Sequence, residues 1–438
     1  MKTNTILHIL QQSEYDLEYF TRWYKKHQRD DRDLEPEKWT LKLKLIKIIF
    51  YLLFFLSVLN RVNIAVMMVS PFENLIRFIV YSLAQMKLTL FKLLGLKVVA
   101  IAGSYGKTST KHIIKHTLKK EFATLMTPKS INTPLGIALI ILKDLNLNHQ
   151  LFLVEFGEFT PGDMLAFCKF VKPHYGVLTP IGRQHLERFG SLKKIVQNFV
   201  GFFEYFKNDL SKLLVAESSQ KYFSNPKLSW YGSSEKSQYR IYKVGISRGG
   251  TEFCVTTPQS KNLKVFTPLY GEHQAVNALP VFWLGDKFRL NLSKLAKSLH
   301  SMPYIPHRHE PTFAENDVLI LDNGYNSNPD SVKASLKLIN QLKPTHRIII
   351  TMGFVELGED SKKIHFKFGE QLADQVDFVG LIKAPDSQEI MNGFIKAGGK
   401  KSHLVIAQSQ EEVLVQLQSK IIPSSVVLFE NGVNEIYL

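Results

Sequence analysis

The segment Gly103-Ser104-Tyr105-Gly106-Lys107-Thr108-Ser109-Thr110 follows the apolar run Leu96 to Ala102 and opens a helix-patterned stretch. Glycines there let the backbone curl so that N–H groups point at phosphate oxygens. Lys107 adds a compact positive charge, Thr108 a hydroxyl for Mg²⁺, and the helix start a positive dipole end. Strand, glycine turn, Gly-Lys-Thr and helix start together make a phosphate cradle, and a nucleotide is its expected occupant. The usual loop has a further glycine six residues before the lysine; this chain has Ile101. The loop is therefore a short form, Gly-x-x-Gly-Lys-Thr.

Other polar constellations fall at the ends of strand-like runs, where α/β proteins place their ligands. Asn132 and Thr133 lie within Thr127–Gly136, Glu155 ends the run Leu151–Val154, and His185 follows the run Gly176–Ile181. Taken singly, such a glutamate suits the surface and such a histidine suits the scaffold. Beside a phosphate loop they gain meaning, because Mg²⁺ needs hard oxygen ligands close to the nucleotide. A carboxylate on the neighbouring strand is the natural source.

The elements that must position these groups set the scale of the molecule. With 438 residues, 45% hydrophobic and 21% charged, the chain is globular and long enough for two or three domains. Its 55 basic against 39 acidic residues, net +16, favour polyanionic partners such as nucleotides or an anionic membrane face. No arginine-rich block or nucleic-acid motif concentrates that charge, so no nucleic-acid partner is expected. Cys168 and Cys254 stand far apart, which supports neither a disulfide framework nor a four-cysteine zinc site and fits a reducing cytoplasm.

Residues 1–47 are polar and mixed in charge, unlike a secretory signal. Ile48–Leu59 and Ile64–Phe72 are uncharged apolar runs separated by Asn60-Arg61-Val62-Asn63. Each falls short of the roughly 20 residues that span a bilayer. They are read as a helical hairpin over residues 48–72, buried or attached to the cytoplasmic side of the membrane, with Lys42, Lys44, Lys47 and Arg61 at lipid headgroups. Residues 73–96 pattern as an amphipathic helix.

From residue 97 onward strand-like and helix-like segments alternate, with strands at 97–102, 151–156, 175–181 and 213–217. This predicts a parallel α/β sheet. Residues 239–270 alternate β-branched and polar types, as in an appended antiparallel ribbon. Helices are expected at 272–285 and 292–301, and Met302–Pro306 reads as a linker. A second series, with strands at 318–321, 347–351, 378–382, 403–406 and 426–429, predicts a doubly wound Rossmann-like domain. The expected division is 1–96, 97–303 and 304–438.

Read in order, these motifs resemble those of the Mur ligase family, the ATP-dependent amide ligases of peptidoglycan precursor assembly, and above all its MurF-type, D-alanyl-D-alanine-adding branch. The resemblance spans residues 97–438. Gly103–Thr110 resembles the family's ATP loop, Asn132 lies in its asparagine segment, Glu155 in Glu-x-Gly and His185 in His-x3-Phe-Gly. Gly271-Glu-His273-x3-Asn277 is similar to its adenine-contacting helix, and Arg308 to the arginine opening its third domain. Asp322 to Ser331, with Tyr325, Asn326 and Asn328, resembles the branch's Tyr-Asn-x-Asn-Pro-x-Ser signature. Gly353 to Glu359 with His365 resembles its Glu-Leu-Gly-Glu-x-His pattern.

The resemblance implies that a substrate carboxylate attacks the γ-phosphate of ATP, giving an acyl phosphate and ADP. An amine then displaces phosphate. It implies that Lys107 and Arg308 neutralise phosphate charge and that Thr108 and Glu155 hold one Mg²⁺. His185 would support a second ion, and Asn277 would seat adenine. Asp322 would help close the third domain, and Asn132, Thr133, Tyr325, Asn326 and Asn328 would face substrate. Small-molecule cell-wall precursors and a monomeric enzyme are the implied partners and state.

Two departures stand out. The family's carbamylated lysine falls at Phe199, and an acidic residue two places on falls at Gly201. Residues 1–96 also lack the α/β pattern of the family's uridine-binding domain. A ligase of the same mechanism acting on another or a lipid-linked acceptor, and a membrane-attached nucleotide-binding protein without ligation, remain as alternatives. The zinc-binding cysteine cluster of the amidating branch has no counterpart here.

Overall fold

The computed structural model describes the chain except residues 1, 14, 27–33, 35, 37–38, 53–57, 129–130, 159, 224, 325–326 and 432–438. Two compact units divide it, residues 1–84 and 85–438. The first holds helices α1 (Thr3–Gln12), α2 (Leu17–Lys26), α3 (Leu41–Leu52) and most of α4 (Val58–Leu93). α4 corrects the expected hairpin. Asn60 to Asn63 are helical, so the second apolar run and the amphipathic stretch form one 36-residue helix through Pro71. A polar tetrapeptide without glycine does not stop a helix.

The second unit contains two sheets. The first begins with β1 (Lys97–Ala102), α5 (Lys107–Leu118), β2 (Thr124–Met126), α6 (Pro134–Lys143), β3 (Leu151–Glu155), α7 (Asp163–Val171) and β4 (Tyr175–Leu178). It continues through α8 (Leu186–Phe189), α9 (Leu192–Phe206), β5 (Leu213–Ala216), β6 (Ser229–Gly232), β7 (Tyr239–Ser247), β8 (Gly250–Thr256) and β9 (Leu263–Thr267). The strand order is β2-β3-β1-β4-β5-β6-β7-β8-β9. Pairings are parallel from β2 to β7, and β7-β8-β9 form the expected antiparallel ribbon. β1 is a short run of buried β-branched and small residues, as a strand covered on both faces requires. β1 lies between β3 and β4, so the loop after it opens at the point where the sheet's winding reverses.

α9 shows how one helix closes this layer. Ile195, Phe199, Phe202 and Phe206, spaced four, three and four residues apart, are all buried. Gly176 of β4 lies beneath Phe202 and Phe206, where a side chain would not fit. α10 (Glu272–Lys287) and α11 (Leu292–Ser298) complete the layer. Met302 and Ile305, in the stretch read as a linker, are buried in the same core.

The second sheet comprises β10 (Glu310–Ala314), β11 (Val318–Asn323), β12 (Arg347–Thr351), β13 (Phe378–Ile382), β14 (Leu404–Ala407) and β15 (Val426–Glu430). Its order is β10-β11-β15-β12-β13-β14, parallel except for the edge strand β10. Neither β6 nor β10 was expected. β6 is four residues long and takes its place from two neighbours, and β10 contains Pro311, which an edge strand tolerates. Helices α12 (Val332–Gln341), α13 (Ser361–Gln375), α14 (Ser387–Lys396) and α15 (Gln410–Leu417) link the parallel strands.

α13 and α14 meet backbone to backbone. A Cβ on Gly369 would collide with the Ile390 carbonyl, and one on Gly393 with the Phe366 carbonyl. Gly393→Ala is therefore expected to destabilise the protein by about 1–3 kcal/mol through overpacking. Thermal unfolding checks this, and an unchanged midpoint would contradict the close crossing.

Candidate active site

Register places the first functional groups. Ile101 of β1 pairs with Glu155 of β3, and Ala102 with Leu178 of β4. The loop leaving β1 is thus flanked by the Glu155 carboxylate on one side and the Thr179-Pro180 turn on the other. Gly103 (φ +130°) lies against Thr179, and Gly106 (φ +84°) would bring a Cβ within 2.8 Å of Asn277 Oδ1. Both positions need the absence of a side chain as well as a left-handed backbone. The Ser104 N–H donates to the Pro180 carbonyl at 3.0 Å. α5 begins at Lys107, and its first-turn N–H groups face the loop mouth. Ser104 and Ser109 are buried beside it.

Lys107 is buried and donates to the carbonyls of Gly103 and, at 3.3 Å, Ser104. Thr108 Oγ1 lies 3.2 and 3.1 Å from the two oxygens of Glu155. The same carboxylate takes a 2.7 Å hydrogen bond from Lys111 Nζ, a side chain with no exposed surface. Burial lowers the Lys111 pKa, and Glu155 opposes that shift. Sequence reasoning missed Lys111. The available signal was its spacing of four from Lys107, which puts both on one helix face.

A second carboxylate, Glu158, lies where the chain leaves β3. It is buried, with Oε1 3.8 Å from Lys107 Nζ, and neither of its oxygens has a hydrogen-bond partner among the described residues. The Thr108 hydroxyl and the Glu155 carboxylate touching it form a hard-oxygen pair that fits Mg²⁺.

The remaining expected residues are distributed around this centre. The Asn132 carbonyl accepts from the Gly157 N–H at 2.9 Å, and the Thr133 hydroxyl caps α6 through the Gly136 N–H at 3.2 Å. Asn277 packs on Gly106, with Nδ2 3.4 Å from Gln274 Oε1. Arg308 is half-buried, and its charge acts on Lys111, His309 and Glu430. His185 makes a contact with the second sheet's loops. Its Nδ1 meets Glu356 Oε2, and Arg188 lies 3.7 Å from the same carboxylate.

Asp330 makes a parallel bridge, accepting from the Arg183 N–H at 2.9 Å beside Gly182 and Tyr105. Burial, reinforced by Asp330, pushes the Tyr105 hydroxyl up to about 12. Asp322 accepts from Gly324 N–H at 2.8 Å and lies 2.7 Å from His307 Nδ1. Those two and Glu310 are the one group of three His, Cys, Asp or Glu donors that converges among the described residues. Asn328 Oδ1 accepts from the N–H groups of Asp330 (3.0 Å) and Ser331 (2.9 Å), fixing its own turn. Tyr325 and Asn326 lie outside the described residues.

Family models match both sheet-bearing regions of the chain. The family model described as the Mur ligase middle domain matches residues 101–285, and that described as the Mur ligase glutamate ligase domain matches 307–430. The UDP-N-acetylmuramoyl-tripeptide–D-alanyl-D-alanine ligase of Haemophilus influenzae is 28% identical over 285 residues, 63% of this chain and 61% of that protein. The Bacillus subtilis protein of the same name is 25% identical over 291 residues, 65% of this chain and 62% of its own length. The chain thus spans about three fifths of the length of these relatives. The fold is that of the Thermotoga maritima MurF ligase solved with ADP (TM-score 0.72, 23% identity, 82% of this chain and 81% of that one).

One group beside the centre has a pH consequence. His309 is buried between His273, whose ring centroid is 4.7 Å away, and Ser335, whose hydroxyl is 2.8 Å from Nε2. Burial, then the charges of His273 and Arg308, hold its pKa well below the ordinary 6.5. The unfolded chain therefore takes up this proton first. Its contribution is complete above about pH 6.5 and shrinks as pH falls below that. His309→Asn, which suits the residue's left-handed backbone (φ +54°), is expected to flatten the acid-side slope of urea-unfolding stability. Parallel slopes would contradict a neutral buried His309.

Proposed function

This chain belongs to the Mur ligase family, and we propose that it is an ATP-dependent acid–amino-acid ligase acting on a peptidoglycan precursor in the manner of its D-alanyl-D-alanine-adding relatives. The observation that carries the reading is the Thr108–Glu155 contact at the head of α5, beside Lys107. Such a pair at the head of the loop would suit a metal ion shared with the phosphates of a bound nucleotide. Mg²⁺ bound there would offset phosphate charge.

The substrate carboxylate oxygen attacks the γ-phosphorus, the bond to the bridging oxygen breaks, and ADP leaves. The amine nitrogen then attacks the acyl phosphate carbon, loses a proton and expels inorganic phosphate. Lys107 and Arg308 neutralise the transferring group, and the rest of the site orients it. Residues 97–303 serve as the nucleotide domain and 304–438 as the domain that closes on it. Asn277 serves the adenine side, His185 a second ion, and Asn132, Thr133 and Tyr325–Asn328 the acceptor side.

The test is ADP release with ATP, Mg²⁺, UDP-N-acetylmuramoyl-tripeptide and D-alanyl-D-alanine, each omitted in turn. Turnover needing both acceptor and amine, with an amide product by mass, is expected. Nucleotide binding without turnover would favour the alternative of a nucleotide-binding protein that has lost ligation, which Phe199, buried in the α9 stripe, keeps in play. Lys107→Ala is expected to abolish ADP formation while leaving thermal unfolding within a few degrees of wild type. A folded and active variant would sink the role given to Lys107.

We also infer that residues 60–84 attach the protein to the cytoplasmic face of a membrane. Asn60–Leu93 is long and apolar enough to cross one by length and composition. Its last turns are engaged elsewhere: Lys87 Nζ donates to the Leu142 carbonyl at 2.8 Å and Lys92 Nζ to the Lys172 carbonyl at 2.6 Å. The stretch before them, about 25 residues or ~37 Å at 1.5 Å per residue, exceeds the ~30 Å of a hydrocarbon core. Met67, Phe72, Leu75, Phe78, Ile79 and Leu83 are exposed on it, while Glu73 is paired with Lys42 and Arg77. Flotation with vesicles of phosphatidylethanolamine and phosphatidylglycerol should carry the chain upward and leave a Phe72→Asp, Phe78→Asp variant behind. Wild type remaining with the soluble fraction would refute attachment.

A further inference from the structure

Glu158 has no role in the site as described so far, yet its position is costly. Both carboxylate oxygens are buried and lack a hydrogen-bond partner among the described residues. The nearest recorded cation, Lys107, stands 3.8 Å away and already donates to the Gly103 and Ser104 carbonyls. A carboxylate stripped of water without donors costs several kcal/mol. The surrounding chain holds it there: the Gly157 N–H is tied to the Asn132 carbonyl at 2.9 Å, and the Gly162 N–H to Asn198 Oδ1 at 2.8 Å. The backbone is thus held at Gly157, next to Glu158, and again at Gly162.

Nucleotide binding sharpens the problem. Lys107 must turn to the phosphates, which leaves Glu158 facing a polyanion across a water-poor gap. Like charges at that range and dielectric repel strongly. The arrangement becomes favourable only if a divalent cation lies between carboxylate and phosphate. Thr108 and Glu155 already form one oxygen pair of their own.

We propose that Glu158 is a direct ligand of a divalent cation that enters with the nucleotide and is distinct from any ion held by the Thr108–Glu155 pair. The idea rests on the nucleotide-site part of the function proposed above, but not on ligation.

The experiment counts Mn²⁺ bound to the full chain by electron paramagnetic resonance, with the non-hydrolysable ATP analogue AMP-PCP at saturation. Glu158→Gln is expected to bind one Mn²⁺ fewer per chain than wild type while still holding AMP-PCP. Without nucleotide it is expected to melt at or above the wild-type temperature, because a buried uncompensated charge is gone. An unchanged Mn²⁺ count would overturn the proposal. So would loss of AMP-PCP binding or a lower melting temperature, either of which would make Glu158 a structural counter-ion of Lys107. AMP-PCP is not turned over, so a missing ion in the variant of a protein that forms no amide would sink the ligase reading and leave this one standing.

Discussion

The ion pair between Lys111 and Glu155 is the constraint on which the nucleotide site depends. A lysine with no exposed surface and a carboxylate at a strand end meet at 2.7 Å. The same carboxylate meets Thr108, and the Glu155 N–H donates to Thr127 Oγ1 at 3.2 Å. Helix α5, strand β3 and the chain after β2 are thereby joined at one point. Removing either charge would strand the other in a low-dielectric interior, at a cost of about 3–5 kcal/mol. Any cation that binds Glu155 must share it with Lys111. The pair therefore fixes where the carboxylate points and limits how many of its lone pairs remain to be used.

Around that rigid knot, the second sheet's loops make contacts of a different kind. Asp330 meets the Arg183 backbone, Glu356 meets His185 and Arg188, and Lys337 meets Glu272 at 2.5 Å. These are charged, partly exposed contacts, individually weak and screened by salt. They engage residues of the sequence motifs, including His185. An ion that recruits His185 must compete with Glu356. The two sheets' loops thus meet through charged side chains and a backbone N–H.

Much of this was legible in the sequence, because the informative features are local. The short loop Gly103–Thr110 carries its chemistry in eight adjacent residues, and β1, β12 and β13 begin and end where their apolar runs do. Other features were not legible because a distant partner creates them. β6 takes its place from β5 and β7, and β10 hides behind Pro311. The continuity of α4 through Asn60–Asn63 follows from the lack of any strong helix-stopping residue, which a reading of apolar blocks overlooked. Lys111 drew no attention because its partner, Glu155 on β3, lies 44 residues further along the chain. The Asn328 amide oxygen accepts from the N–H groups of Asp330 and Ser331 and so shapes the turn that carries it.

The two departures from the family pattern, Phe199 and Gly201, have one physical cause. Phe199 belongs to the buried stripe by which α9 covers β4, and a lysine there would place its stem and charge among Ile195, Phe202 and Phe206. Gly201 faces α7, where a Cβ would come within 2.9 Å of the Leu165 Cβ and backbone nitrogen. An acidic side chain at 201 would force the two helices apart, and a phenylalanine at 199 fills the interface their closeness creates. α9 thus offers neither of the charged groups that the resemblance led one to expect. Its polar contribution here is Asn198, whose amide oxygen anchors the turn between β3 and α7. The helix acts on the site through the loop it holds, so the departures change which element supplies charge and do not by themselves make the site apolar.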